Sequence, residues 1–269
     1  MRPAHRSGGY AAGVALLRCD FFSEALTLST SMTVILPQQT ATQIGMAGAA
    51  GSAPPPVLYL LHGLSDDDTI WLRRTSIERY VAPLGLAVVM PQVNRSFYTD
   101  EAYGNRYWTF LSEELPDLVA GFFRVSDRRE DTFVAGLSMG GYGAFRWALR
   151  QPGRFAAAAS LSGALDVAAR QDSDGAFLPH VFGEESVTST DADLLWLLRG
   201  ADPAALPRLY LACGTEDPLC PDNVAFRDTC RVRGVPLTVD IGAGSHEWGY
   251  WDRKIQDVLA WLLLPSARE

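Results

Sequence analysis

The chain has 269 residues, 48% hydrophobic and 20% charged, with a formal net charge of -8. That length suits one substantial core, the acidic balance leaves no Lys/Arg stripe to neutralise a row of phosphates, and no run reaches the roughly 20 apolar residues of a membrane span. Nucleic-acid binding and membrane insertion are therefore excluded as expectations. From the N-terminus, Arg2, His5 and Arg6 precede "YAAGVALL", a weak imitation of a signal peptide. The stretch is short, Arg18 interrupts the residues after it, and no small-x-small cleavage site is evident. Residues 1–13 read as a loose extension, and 14–269 as a single domain of a cytoplasmic protein. Eight β-rich runs are spread along that domain: "LLRCDFF" (16–22), "SMTVILP" (31–37), "VLYLLHG" (57–63), "LAVVMP" (86–91), "TFVAGL" (132–137), "FAAAASLSG" (155–163), "RLYLACG" (208–214) and "PLTVDIG" (236–242). The first two alternate and are closely joined, as an antiparallel edge requires, whereas the later ones are continuous apolar runs suited to burial on two faces. Between them, Leu111, Leu115, Leu118 and Phe122 draw one helical stripe, and Trp251, Ile255, Val258 and Leu262 another. This alternation predicts an α/β fold, a mostly parallel eight-stranded sheet with helices on both faces. "GMAGAAGSAPPP" (45–56) reads as a loop before a core strand, and residues 164–206 as an insertion that shades a pocket without forming a large lid domain. The four cysteines, at 19, 213, 220 and 230, lack the paired spacing of a zinc site and read as free thiols, a Cys220–Cys230 bridge being the alternative.

Within "VAGLSMGGYGAF" (134–145), Ser138 stands between glycines at a strand-to-helix turn. A nucleophile must be lifted clear of the sheet edge, and the sharp turn that does this leaves room only for small neighbours at Gly136 and Gly140. The helix beginning near Met139 aims free N–H groups at the same place, which favours negative charge there.

A serine hydroxyl needs a base, and the base needs a buried acceptor that fixes its tautomer. Of the four histidines, His5 is in the loose terminus, His180 in the insertion, and His62 reads as a loop-ordering residue. His246, in "GAGSHEWGYW", comes just after the eighth run, where a loop returns it to the sheet edge of Ser138. "CGTEDPLC" comes at the end of the seventh run and offers Glu216 and Asp217; the order serine, acid, histidine matches that of α/β-hydrolases, and Asp217 is the better-placed acid. An oxyanion hole is expected from the backbone N–H groups of Leu64, in "LLHGL", and Met139.

With these residues in view the chain resembles the esterase D family of α/β-hydrolases, most closely its bacterial tributyrin-esterase branch. The resemblance rests on "CDFFSEAL", "LHGLSDDDTIWLRRTSIERY", "YTDEAYG", "GLSMGGYGAF", "SGAL" and "HEWGYW" and spans about Leu16 to Pro265. It implies a metal-independent, cofactor-free carboxylesterase for short acyl chains, with Ser138, Asp217 and His246 as triad and Leu64 and Met139 as oxyanion donors. S-formylglutathione hydrolases, carbohydrate acyl esterases and acyltransferases are related, and they stand as alternatives, as does a ligand-binding homologue without activity. "SHEWGYW" and "HGLSDDD" look less like the formylglutathione group.

Asp66, Asp67 and Asp68 are adjacent carboxylates that read as a solvated turn rather than a calcium site, since three neighbouring side chains do not all point inward. Trp71, Tyr98, Tyr103 and Trp108 are candidates for an apolar pocket wall, with core packing the equal alternative. The expected partner is a small-molecule ester, with self-association left open.

Overall fold

The computed structural model describes residues 11–40, 51–171 and 177–262. Residues 1–10 of the expected extension, with His5, the first part of the loop at 45–50 and positions 172–176 of the insertion lie outside the described residues.

Eight strands form one sheet: β1 (Ala11–Ser23), β2 (Leu28–Thr40), β3 (Val57–Leu61), β4 (Ala87–Pro91), β5 (Thr132–Leu137), β6 (Ala157–Leu161), β7 (Arg208–Gly214) and β8 (Leu237–Gly242). Their order is β1-β2-β4-β3-β5-β6-β7-β8. β1 pairs β2, and β2 pairs β4, antiparallel; every other pairing is parallel. This is the mostly parallel eight-stranded sheet that the alternating pattern predicts, in the α/β-hydrolase architecture that the resemblance implies. Residues of β3 and β4 divide by parity: Val57, Tyr59, Leu61, Ala87 and Val89 face one core layer, and Leu58, Leu60, Val88 and Met90 the other. A period of two with both faces covered gives these continuous apolar runs.

Three differences from expectation have local causes. β1 begins at Ala11, so the boundary expected after residue 13 falls inside a strand: Ala11, Ala12 and Gly13 pair with Thr40, Gln39 and Gln38. The expected run starts at Leu16, but the backbone ladder continues through the small residues before it, since pairing needs no large side chain. The stripe Leu111, Leu115, Leu118, Phe122 holds only for its first half. A π-helical turn at Phe110–Glu114 adds a residue to the winding, after which Val119 is buried while Phe122 is 52% exposed. Inside that turn, the Glu114 carboxylate accepts from Ser23 Oγ and the Glu24 and Ala25 N–H groups, tying the helix to the β1–β2 turn. β8, expected to be buried on both faces, is an edge strand with Val239 exposed. The C-terminal stripe needs no such adjustment: Trp251, Ile255, Val258 and Leu262 are all buried.

The register aligns Leu61 of β3 with Gly136 of β5 and Gly136 with Ser160 of β6. Gly214 of β7 likewise meets Gly242 of β8. The parallel strands therefore end together, and the loops after β3, β5, β7 and β8 open on one rim.

Candidate active site

Ser138 is the single residue between β5 and the helix Met139–Arg150, with φ 54° and ψ -119°. A non-glycine residue there carries strain on the order of 1–3 kcal/mol, which the surroundings must hold. They do so through its own backbone: its N–H donates to Leu161 O (2.9 Å), and its carbonyl accepts from Tyr142 N–H (3.1 Å) and Ala164 N–H (3.2 Å). The flanking glycines have a steric cause. A Cβ on Gly136 would lie 2.3 Å from Gly140 O, and one on Gly140 would lie 2.5 Å from Leu61 O. The helix thus sits directly against the ends of β3 and β5.

His246, from the loop after β8, reaches Ser138: its Nε2 is 3.1 Å from Ser138 Oγ. Its Nδ1 is 2.9 Å from Asp217 Oδ2 and 3.1 Å from Oδ1. The three residues expected from three distant segments therefore meet in one hydrogen-bonded row. Asp217 is 3% exposed. Burial alone would push its carboxyl up, but hydrogen bonds from His246, the Leu219 N–H and Ser162 outweigh this and hold it below the ordinary aspartate value. An ionised, buried acceptor fixes the proton on Nδ1 and leaves Nε2 free to take one from the serine.

Three further residues support this row in roles that the sequence pattern does not give them. Ser162, at φ 49° just past β6, donates its N–H to Ala212 O (2.7 Å), and its Oγ accepts from Trp251 Nε1 (3.1 Å). Trp251 also meets the His246 ring edge-on, at 4.8 Å between centroids, and is itself braced by Trp248. Glu216, the alternative acid, bonds Gly244 instead of His246. Its carboxylate accepts from Gly244 N–H (2.8 Å) and its N–H donates to Gly244 O (3.0 Å), which ties the aspartate loop to the histidine loop. "SLSG" at the end of the sixth run is the one available signal for Ser162; Trp251 and Glu216 have none beyond adjacency to His246 and Asp217.

The loop after β3 lies against the serine: a Cβ on Gly63 would stand 3.7 Å from Ser138 Cβ. Met139 N–H heads its helix and has no intrahelical acceptor. His62 sets the direction of the Leu64 N–H. Val93 N–H donates to its Nε2 (3.2 Å), so the ring proton is on Nδ1, which donates to Gly63 O (2.7 Å). Burial holds this imidazole below its ordinary value, against the opposing effect of the Gly63 carbonyl and of Asp66, Asp67 and Asp68. Gly63 O and Leu64 N–H belong to one trans peptide plane, so fixing the carbonyl fixes the N–H in the opposite direction.

Of the four aromatic candidates, three are inside the protein and cannot form an open wall. Tyr98 is 0% exposed and its hydroxyl donates to His62 O (2.8 Å), so it braces the Gly63 loop from behind. Trp71 is 1% exposed and donates to Leu61 O (3.2 Å). Trp108 lies under the guanidinium groups of Arg146 and Arg150. Tyr103 is exposed and neighbours His180. Apolar character alone does not distinguish wall from core, which is why the sequence offers all four. The three adjacent carboxylates diverge: Asp67 bonds Thr69 and Arg73, Asp68 bonds Ser31 and Thr33, and Asp66 turns back against Gly63. Among the described residues all four cysteines are free thiols, so Cys220 and Cys230 are not bridged.

The family described as "Putative esterase" matches residues 23–262. The chain belongs to this esterase family. The esterase is 28% identical over 262 residues to the acetyl esterase of Caldicellulosiruptor saccharolyticus, covering 93% of this chain and 98% of that one. Among solved structures it resembles the fluorophosphonate-binding serine hydrolase F of Staphylococcus aureus, with 35% identity, TM-score 0.84, and 93% and 98% of the two chains covered. The S-formylglutathione hydrolase of the same organism gives 36% identity and TM-score 0.81 over the same shares. Among the described residues of the esterase, no helix is long and apolar enough to cross a membrane.

Proposed function

We propose that the esterase is a serine carboxylesterase for short-chain acyl esters, of the esterase D type and nearest its tributyrin-esterase branch. The reading is carried by one observation, the row from Ser138 Oγ through the His246 ring to Asp217, at 3.1 and 2.9 Å. His246 Nε2 takes the Ser138 proton as Oγ attacks the ester carbonyl, and Leu64 and Met139 N–H hold the oxyanion. The imidazolium then gives its proton to the departing alkoxide, leaving an acyl ester on Ser138. Water, deprotonated by the same imidazole, attacks that ester and releases the acid with Ser138 restored. Asp217 stays ionised throughout and stabilises the imidazolium. No metal or cofactor takes part. Four free thiols accord with a reducing compartment, and we assign the esterase to the cytoplasm.

Hydrolysis of p-nitrophenyl butyrate tests the reading. Ser138→Ala is expected to lower kcat by at least about 10³-fold; equal rates for variant and parent would overturn it. A thioesterase is the second reading, favoured by the 36% identity to the S-formylglutathione hydrolase. It predicts a higher kcat/KM for S-formylglutathione than for any short oxygen ester, and the proposed carboxylesterase predicts the reverse.

A further inference from the structure

β1 forms one edge of the sheet, and no other described strand lies beside its outer side. It is long, 13 residues, where the opposite edge β8 has 6. A bare edge of that length is a template for another strand, and proteins usually shorten, bend or charge such edges to prevent pairing. Here the exposed face of β1 reads Leu16, Arg18, Asp20, Phe22. Leu16 is 49% exposed and Phe22 55%, and with Phe122 (52%) beside Phe21 they are three of the seven large apolar side chains exposed among the described residues. The pattern is apolar, positive, negative, apolar, and it is complementary to itself when reversed.

We propose that β1 pairs antiparallel with β1 of a second copy of this chain about a two-fold axis at Cys19, joining two sheets into one of sixteen strands. In an antiparallel pair, opposite residues point to the same face, so the register decides which side chains meet. Centred on Cys19, Arg18 faces Asp20 of the second copy and Asp20 faces its Arg18, while Leu16 faces Phe22 and Phe22 faces Leu16. Shifting the centre to residue 18 sets arginine against arginine, and shifting it to residue 20 sets aspartate against aspartate. Half-residue centres oppose inward with outward backbone groups and form no ladder. One register therefore satisfies charge, apolar contact and backbone together. It pairs residues 15–23 with their counterparts through about eight ladder hydrogen bonds, and the interface is isologous, as two-fold symmetry demands. Leu17 and Phe21 pair on the other face, where Phe122 extends the apolar contact.

Light scattering on the whole chain, with charge exchange, tests this. The parent is expected to have the mass of two chains. Arg18→Asp, which opposes two carboxylates at both ends of the centre, and Asp20→Arg, which opposes two guanidinium groups, are each expected to give one chain. The double variant Arg18→Asp/Asp20→Arg is expected to restore two. Arg18 also lies 3.7 Å from the buried Asp68 carboxylate of its own chain, so Asp20→Arg, which leaves that contact in place, separates loss of pairing from loss of folding: its circular dichroism and p-nitrophenyl butyrate hydrolysis are expected to be unchanged. Cys19 supplies the register: facing Cα atoms about 4.5–5.5 Å apart suit a disulfide. Copper(II)-phenanthroline, taking one electron from each thiolate, is expected to link the parent through Cys19, and Cys19→Ser is expected to remove the link. A parent of one chain, a dimer that survives both single changes, or a dimer without the Cys19 link would overturn the proposal.

Discussion

Ser162 shows how much of the site's chemistry depends on a residue with no motif of its own. Its Oγ accepts from Trp251 Nε1 at 3.1 Å, which leaves its own proton free to turn toward the nearby Asp217 carboxylate. Burial pushes the Asp217 carboxyl up, and this donor is among those that hold it down. Removing the donor lets the effect of burial grow, so the Asp217 carboxylate takes up a proton at higher pH than before. Ser162→Ala is therefore expected to move the acid limb of the kcat/KM profile to higher pH, with activity on that limb roughly tenfold lower, about what one hydrogen bond to a charged group is worth. Trp251→Phe keeps an aromatic ring beside His246 but, with a smaller ring in place of the indole, loses the N–H, and should move the limb less in the same direction. An acid limb that stays in place while the whole profile falls would mean that Ser162 only packs.

At the scale of elements, the site depends on how closely the helix Met139–Arg150 approaches β3. Gly140 lies where a Cβ would be 2.5 Å from Leu61 O and 2.7 Å from His62 O, both backbone atoms that cannot swing aside. Gly140→Ala must lift the helix from the strand or bend the loop that carries Leu64. It is expected to cost about 1–3 kcal/mol in a denaturant titration and to lower kcat on p-nitrophenyl butyrate by about 10²-fold, the scale of losing one oxyanion donor. An unchanged kcat would show that the spacing is not needed. The turn, its glycines and the adjoining helix were legible because all the groups involved are within a few residues of one another. The second half of the Leu111–Phe122 stripe was not, because Glu114 is recruited by Ser23, Glu24 and Ala25, some ninety positions away, in the turn where the winding changes.

For the whole molecule, the common rim of β3, β5, β7 and β8 carries a pH dependence through the buried His62. His62 is neutral and 1% exposed, held below its ordinary value by burial. An unfolded histidine titrates near 6.5. Between the folded and unfolded values the unfolded chain binds more protons, so stability rises with pH, and it falls as pH drops below about 6.5. The Asp217 contribution has the opposite origin, a depressed carboxylate. It is present above the unfolded value of about 3.9 and is lost only as pH falls further. The melting temperature is therefore expected to drop by a few degrees between pH 7 and pH 5, before the carboxylates contribute. His62→Gln, which does not titrate, should lose that slope. A parent protein equally stable at pH 5 and pH 7 would contradict the assignment.

What the sequence by itself determined is whatever is fixed over short distances: eight strands from runs of apolar residues, an antiparallel start from alternation, the turn at Ser138 from its glycines, and the order of the three polar residues from their positions after successive strands. The tertiary structure alone decided the division of labour among residues of the same type. Tyr98 braces His62 from behind, while Tyr103, five positions on, faces solvent. Glu216 holds Gly244 while Asp217 holds His246. The physical reason is that a side chain's role is set by the partner it meets, and partners here come from strands brought together by the sheet register, at separations of 29 residues for Asp217 and His246 and 108 for Ser138 and His246. Local pattern records propensity, and it holds no account of which distant groups will lie opposite one another.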